Sequence, residues 1–345
     1  MGFGLRLGFR KSGNRFAGNI LATVEEYDPT TNTWTNKANM PTARHGFSTN
    51  VVNGKIYAIG GWVMGIGASS IVEEYDPYTD TWVNKASMPT ARCYFSASTV
   101  NGKIYVVGGW SSSANTTLAT VEEYDPATDT WAERSSMPTA RCLFSASVVN
   151  GKIYAIGGAI YPLGGPLSTV EEYEPGTDRW TKKADMPTKR REVSTSAVTE
   201  EIYAIGGAIA YRGTVLSTVE QYDPVTDTWT EKADMPTARG YFSTSVVNEK
   251  IYAIGGSGNA GEALSTVEEY DSGLLLPDFN GDGVVDITDL VILIEYWGTD
   301  EPLCDIAPPP FGDGIVDVLD LELFMSYWEQ RDIPDNQDTI SNLVW

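Results

Sequence analysis

Oxygen-bearing side chains near the C-terminus have the spacing needed to hold a hard cation. Asp278, Asn280, Asp282, Asp286 and Asp289 stand at positions 1, 3, 5, 9 and 12 of one loop, with Gly283 at position 6. Alternate ligands let a chain wrap one Ca2+, Val284 would add only its backbone carbonyl, and the glycine permits the sharp bend. A second copy aligns Asp313, Gly314, Asp317 and Asp320. Its first and third positions fall on Pro309 and Phe311, so only a bulge would bring in Asp305 as a ligand. From Asp278 onward 12 Asp and 4 Glu stand against Arg331 alone, which places most of the formal charge of −22 in the last fifth of the chain.

Two further sets of residues could bind a ligand. Trp62, Trp110, Tyr161 and Tyr211 lie in variable loops and could form an aromatic platform for sugar rings or peptide side chains. Each could equally cover the edge of its own sheet. Arginines recur with the M-P-T loops, at Arg44, Arg92, Arg141, Arg191 and Arg239. A ring of guanidinium forks suits carboxylates, but such regularity favours a structural role, each arginine pairing with a repeat carboxylate. His45 is the only histidine, which removes most histidine-based metal and acid–base chemistry. Cys93 and Cys142 hold the same position of adjacent repeats and read as buried free thiols, with a cross-repeat disulfide as the alternative; Cys304 lies apart. The acidic balance argues against nucleic acid, which needs clustered Lys and Arg. No apolar run reaches the roughly 20 residues of a membrane helix.

The elements that position these residues come from a repeat. Tryptophans at 34, 82, 131, 180 and 229, and Gly-Gly pairs beginning at 60, 108, 157, 206 and 255, are each spaced by 48, 49, 49 and 49 residues. A period this long with strand-like segments means one small sheet per repeat, packed on its neighbours. In the third full copy, Phe144–Val149 alternates small residues, as an inner strand near a crowded axis would. Asn150-Gly151 then signals a type I′ hairpin turn, because both residues tolerate positive φ. Lys152–Ile156 is apolar on both faces, Val170–Tyr173 makes a third strand and Trp180 anchors a fourth. The fourth copy departs from pattern: Lys189-Arg190-Arg191-Glu192 and Thr199-Glu200 replace the usual residues, the latter pair taking the place of Asn-Gly.

The Y-D-P-x-T-x-T-W, M-P-T-A-R and N-G-K-I-Y-A-I-G-G blocks, over about residues 20–271, resemble kelch repeats. The resemblance implies an all-β kelch propeller, with the repeat arginine near one mouth of the channel. Five inner strands but six V-E-[EQ]-Y strands favour six blade positions, one incomplete; five closed blades are the alternative. The two acidic loop–helix units, over about 277–330, resemble a dockerin, with Asp at position 12 where an EF-hand has Glu. Helices are predicted at Asp286–Trp297, apolar at Leu290, Leu293, Ile294 and Trp297, and at Leu319–Trp328. That resemblance implies a small all-α, Ca2+-binding module docking on a cohesin-like scaffold protein, extracellular or at the cell surface. Leu290 and Val291 would then be core or partner face.

The chain thus divides into 1–19, a start matching no repeat and read as a damaged remnant that lost an export signal; 20–273, the propeller; 274–331, the dockerin-like module; and a tail, 332–345. The functional expectation is a non-enzymatic interaction protein whose propeller binds a protein or glycan, with a role in a polysaccharide-degrading assembly. The alternative is a sugar mutarotase or epimerase of the kelch type, with Arg191 and Glu192 as the acid–base suspects.

Overall fold

The computed structural model describes residues 20–28, 33–162, 164–211, 213–247, 250–271, 279, 287–299, 304 and 315–329. They belong to two compact units, one ending at Tyr270 and one beginning at Asp271.

In the first unit each repeat makes one antiparallel sheet, inner strand first. Blade I is Ser48–Val52, Lys55–Ile59, Val72–Asp76 and Thr81–Asn84. Blades II, III and IV repeat that order from Ser96, Ser145 and Ser194. Blade V has three strands, Ser243–Val247, Lys250–Ile254 and Val267–Asp271. The fold is therefore an all-β propeller of five blades. Ahead of blade I, Val24–Asp28 pairs with Thr33–Lys37 as a separate ribbon. Six blade positions were the favoured expectation. The ribbon supplies only the outer two strands of a sixth, and no inner strands for it occur among the described residues. Nor does the Trp34 strand complete blade V, because it pairs within the ribbon, Tyr27 opposite Trp34.

The repeated words of the sequence now have physical roles. Apolar residues of neighbouring blades interlock: Val52, Tyr57, Ile59 and Met88 of blade I pack with Phe95, Ile104, Val106 and Tyr124 of blade II. In the V-E-x-Y strands of blades I to IV the tyrosine lies opposite the tryptophan of the next strand, ring centroids 4.9–5.0 Å apart. The tyrosine hydroxyl donates to a turn aspartate, as Tyr124 does to Asp129 at 2.6 Å. That aspartate also accepts from a backbone N–H of the preceding blade, Ala86, at 2.8 Å. Trp131 Nε1 closes the latch by donating to the Ala86 carbonyl at 2.9 Å. The same latch joins Asp80 and Trp82 to Ala38, Asp178 and Trp180 to Ser135, and Asp227 and Trp229 to Ala184. Along the axis the inner strands exchange hydroxyl hydrogen bonds, including Ser147 to Thr195 at 2.8 Å and Ser196 to Thr244 at 2.7 Å.

Among the described residues, these turns follow the sequence pattern with one exception. Asn53-Gly54, Asn101-Gly102 and Asn150-Gly151 adopt the positive-φ turn that joins the first two strands. Thr199 and Glu200 adopt it too, at φ 43° and 67°. Left-handed backbone is unfavourable for a β-branched residue, so blade IV keeps the turn at the expense of local strain. At the Gly-Gly pairs the glycine is obligatory: a Cβ on Gly61 would lie 2.7 Å from the Phe47 Cβ.

The second unit holds helices α1, Ile287–Glu295, and α2, Val318–Glu329, around a core of Phe279, Leu293, Cys304, Val316 and Phe324. Leu293 is buried as expected, whereas Ile294 and Trp297 are exposed, as are Ile287 and Val291. No helix among the described residues is long and apolar enough to cross a membrane.

Candidate functional site at the loop face of the propeller

The site is built where each inner strand begins. The residue after the repeat arginine forms an antiparallel bridge with the residue after the Gly-Gly pair: His45 with Trp62, Cys93 with Trp110, Cys142 with Ala159, Arg191 with Ala208, and Gly240 with Ser257. The variable loops are thereby tied to the mouth of the channel. The next residue, Gly46, Tyr94, Leu143, Glu192 or Tyr241, is left-handed in every blade. Its backbone runs a hydrogen-bonded collar from blade to blade: Tyr94 N donates to Gly46 O, Leu143 N to Tyr94 O, and Glu192 N to Leu143 O, at 2.7–2.8 Å. A regular backbone thus presents five different side chains at one ring of positions.

One side of this face is aromatic. Trp62 stacks on Trp110 with centroids 5.8 Å apart, and Tyr161 meets Trp110 edge-on at the same distance. His45 lies 5.8 Å from the Tyr94 ring, and the Tyr94 hydroxyl is 3.3 Å from His45 Nδ1. Burial lowers the pKa of His45, so the ring is neutral at pH 7.

The other side is charged and lies in blade IV. Arg191 Nε comes within 2.9 Å of Glu192 Oε1, and both side chains are only 6% exposed. The Arg191 guanidinium lies over the Tyr211 ring, 5.3 Å from its centroid, in cation–π range. The Tyr241 hydroxyl from blade V is pushed well above its ordinary pKa by burial and by Glu192, whose carboxylate holds the phenolic proton. Tyr241 is nevertheless 44% exposed.

Residues 12–158 match the family model described as the KLHDC2/KLHL20/DRC7 Kelch-repeats domain, and 140–187, 189–236 and 238–273 match the Kelch motif. This chain carries a kelch-repeat β-propeller. Among solved structures, the one titled "Structure of YjhT" is similar with a TM-score of 0.63 at 18% identity, covering 72% of this chain and 87% of that one. At that identity the likeness is one of fold. No curated protein matches the chain.

In this kelch propeller the repeat arginines are structural. Arg44, Arg92, Arg141 and Arg239 are buried, and each pairs with the first glutamate of its V-E-E-Y strand, Glu73, Glu122, Glu171 and Glu268. Nη1 of each meets backbone carbonyls, as that of Arg44 does at Gly60 and Ile71. The threonine of M-P-T holds the same glutamate in blades I to IV, as Thr139 holds Glu171 at 2.7 Å. No ring of free guanidinium forks forms. In blade IV the repeat position belongs to Arg190, paired with Glu220 and bonded to the Gly206 and Thr218 carbonyls. Arg191 holds the bridging position that His45, Cys93, Cys142 and Gly240 hold in the other blades, next to the collar residue Glu192.

Of the expected aromatic platform, Trp62, Trp110 and Tyr161 come together while Tyr211 serves Arg191. Tyr94 and Tyr241 were missed. Their only signal was the variable position two residues after each repeat arginine. Cys93 and Cys142 are free and buried, and burial pushes both thiols up to about 12, so they stay protonated and inert. Of the expected metal ligands, Asp278, Asn280, Asp282, Val284, Asp286, Asp305 and Asp313 lie outside the described residues. Asp289 and Asp320 are fully buried in the first turns of α1 and α2. Asp317 accepts from Leu319 N at 2.8 Å, and its own N–H donates to Asp320 at 2.7 Å.

Proposed function

We propose that the loop face of the propeller binds a protein ligand and that the C-terminal unit tethers the complex. The observation that carries the binding reading is the run of apolar side chains left in solvent on these loops: Met64, Ile66, Ile160, Tyr161, Ile209 and Tyr211. Exposed apolar groups gathered beside rigid aromatics favour a macromolecular partner, with aromatic anchors supplying most of the affinity. Full-length protein applied to peptide and glycan arrays tests the reading. Capture of peptides, weakened about fivefold or more by Tyr161→Ala, is the expected result, equivalent to about 1 kcal/mol. A response confined to glycans would move the ligand class to sugars, and silence on both arrays would end the binding reading.

For the C-terminal unit the reading is a dockerin-like module that folds around Ca2+ and docks a cohesin-type scaffold outside the cell. In support, both helices start within about two residues of where the loop template places them. The two position-12 aspartates are also alike in being fully buried. Calcium added to chelator-treated full-length protein should release heat and raise the helical signal, because metal binding and folding are coupled in so small a core. No response in either readout would leave this unit an acidic appendage.

A second reading, acid–base opening of a sugar ring by Arg191 and Glu192, has in its favour only their 2.9 Å approach in the mouth. Anomer exchange followed by NMR without acceleration would remove it.

A further inference from the structure

Blades I to IV are each completed on the outside by a fourth strand, and what that strand brings is repeated. An aspartate and, two residues later, a tryptophan hold the backbone of the preceding repeat at Ala38, Ala86, Ser135 and Ala184. Three residues after the tryptophan, a cation reaches the second glutamate of the V-E-E-Y strand: Lys85 to Glu74, Arg134 to Glu123 and Lys183 to Glu172, at 2.7–3.6 Å. Three residues further on, Met88, Met137 or Met186 joins the apolar cluster of that strand's first valine.

Blade V has only the receiving half of this arrangement. Its Val267–Asp271 strand ends the sheet, and no described strand pairs with its outer edge. In blades I and III the first valine accepts from the residue that follows the fourth strand by one or two positions, Lys85 N to Val72 O and Lys183 N to Val170 O. Ladder alternation therefore puts the backbone groups of Val267, Glu269 and Asp271 on the open edge. Val267 is 52% exposed, where its counterparts in blades I to IV are at most 1% exposed. The Glu269 side chain is 44% exposed, against 4–10% for Glu74, Glu123 and Glu172. Tyr270 already stands as the other tyrosines do, its ring 5.8 Å from Tyr203 as that of Tyr124 is from Tyr57. Ala233 takes the place of the latched alanines one repeat on and is exposed, whereas Ala38, Ala86 and Ala184 are half-buried. The chain's own continuation does not supply the missing half. Leu275, Pro277 and Asn280 stand at the aspartate, tryptophan and cation positions, and Phe279 belongs to the core of the C-terminal unit.

We propose that the outer edge of blade V is a docking site for an extended segment of another protein, which adds to the sheet as its fourth strand. The site is separate from the loop face and independent of the reading given to that face. An open edge is a template for a further strand, and its backbone groups would supply affinity without regard to sequence. The pockets supply the sequence: Asp-x-Trp-x-x-Lys/Arg-x-x-Met. The aspartate and tryptophan take the Ala233 N–H and carbonyl, the ring stacks on Tyr270, the cation meets Glu269, and the methionine covers Val267. A slip of one residue would turn all four to the wrong face, so the register is fixed. Blades I to III hold this combination in place within the same molecule.

The test titrates the full-length protein with a capped peptide of residues 174–187, which spans the fourth strand of blade III. In it Glu174, Asp178 and Asp185 balance Arg179, Lys182 and Lys183, so the field of a chain of charge −22 does not repel it. Calorimetry should show saturable binding at one site per chain, and hydrogen exchange should show the amides of Glu269 and Asp271 gaining protection. Trp180→Ala in the peptide should weaken binding about tenfold or more. Ala233→Pro in the protein, which removes the N–H that donates to the aspartate, should weaken it about fivefold. Glu269→Arg should weaken the wild-type peptide and favour the Lys183→Glu peptide, a reversal that a merely damaged fold does not give. Melting temperatures within a few degrees of wild type certify the variants, and Glu269→Arg carries the test if Ala233→Pro does not fold. No saturable binding, equal binding of the Trp180→Ala peptide, or protection confined to other amides overturns the proposal. A dimer of the protein alone that the peptide disperses would make a second copy the strand donor and overturn the assignment to another protein.

Discussion

Arg190 and Arg191 are chain neighbours in two regions of the propeller that treat charge in opposite ways. Arg190 belongs to the frame, where Glu220 and the carbonyls of Gly206 and Thr218 occupy its donors. Arg191 holds the bridging position beside the collar, where its guanidinium has Glu192 and the face of Tyr211 as partners among the described residues. Repetition lets a frame be satisfied five times by one solution. Departure from the repeat puts a differently partnered charge at the mouth.

The sharpest way to break this comparison is to replace each arginine by methionine in turn. Arg190→Met strands the buried Glu220 and should cost about 3–5 kcal/mol in denaturant unfolding, with ligand affinity unchanged per folded molecule. Arg191→Met leaves Glu192 the Tyr241 hydroxyl as a partner and should change stability by about 1 kcal/mol or less. Equal stability losses would erase the distinction between frame and collar.

Acid should attack the frame before the collar. Asp80 is held below the ordinary carboxylate range by the Tyr75 hydroxyl and the Ala38 N–H. For Asp129, burial pushes upward but is outweighed by the Tyr124 hydroxyl and the Ala86 N–H. Glu123, also opposed by burial, is drawn down to about 2 by Arg134 and Lys103. A depressed folded pKa gives stability that is complete above the unfolded value, about 4, and is lost as pH falls through the folded value. Melting temperature should therefore be flat above pH 5 and fall steadily below pH 4. A curve flat to pH 2 would mean that the latches contribute nothing.

The smallest effect is a gain. Thr199→Asn with Glu200→Gly gives blade IV the turn of blades I to III and should stabilise the protein by about 1–2 kcal/mol. An unchanged unfolding midpoint would show that the strain is relieved elsewhere.

Much of the frame was legible because its causes are local. Asn-Gly turns, Gly-Gly corners and alternating inner strands are properties of a few consecutive residues, and a 49-residue period aligns them. The fate of the repeat arginines was only half legible: recurrence suits a ring of forks and a set of internal pairs equally, and burial decides for the pairs. The place of Arg191 hid behind a one-residue ambiguity, since Arg190 and Arg191 compete for the same position in the M-P-T loop. Tyr94 meets His45 and Tyr241 meets Glu192, each across a blade boundary, meetings set by ring geometry that no local pattern encodes. Blade number was likewise a matter of closure, decided by Trp34 pairing with Tyr27 within the ribbon.

The latch between blades has an evolutionary consequence. Each four-stranded blade grips the repeat before it through two backbone atoms of one residue, using a turn aspartate and a tryptophan that it carries itself. A tandem copy of 49 residues would therefore arrive with its own fastener and find a ready attachment point, whatever the neighbouring side chains. Such a protein can lengthen by copying a segment of its gene, and a fresh copy needs no compensating change elsewhere before it starts to diverge, as the fourth has done.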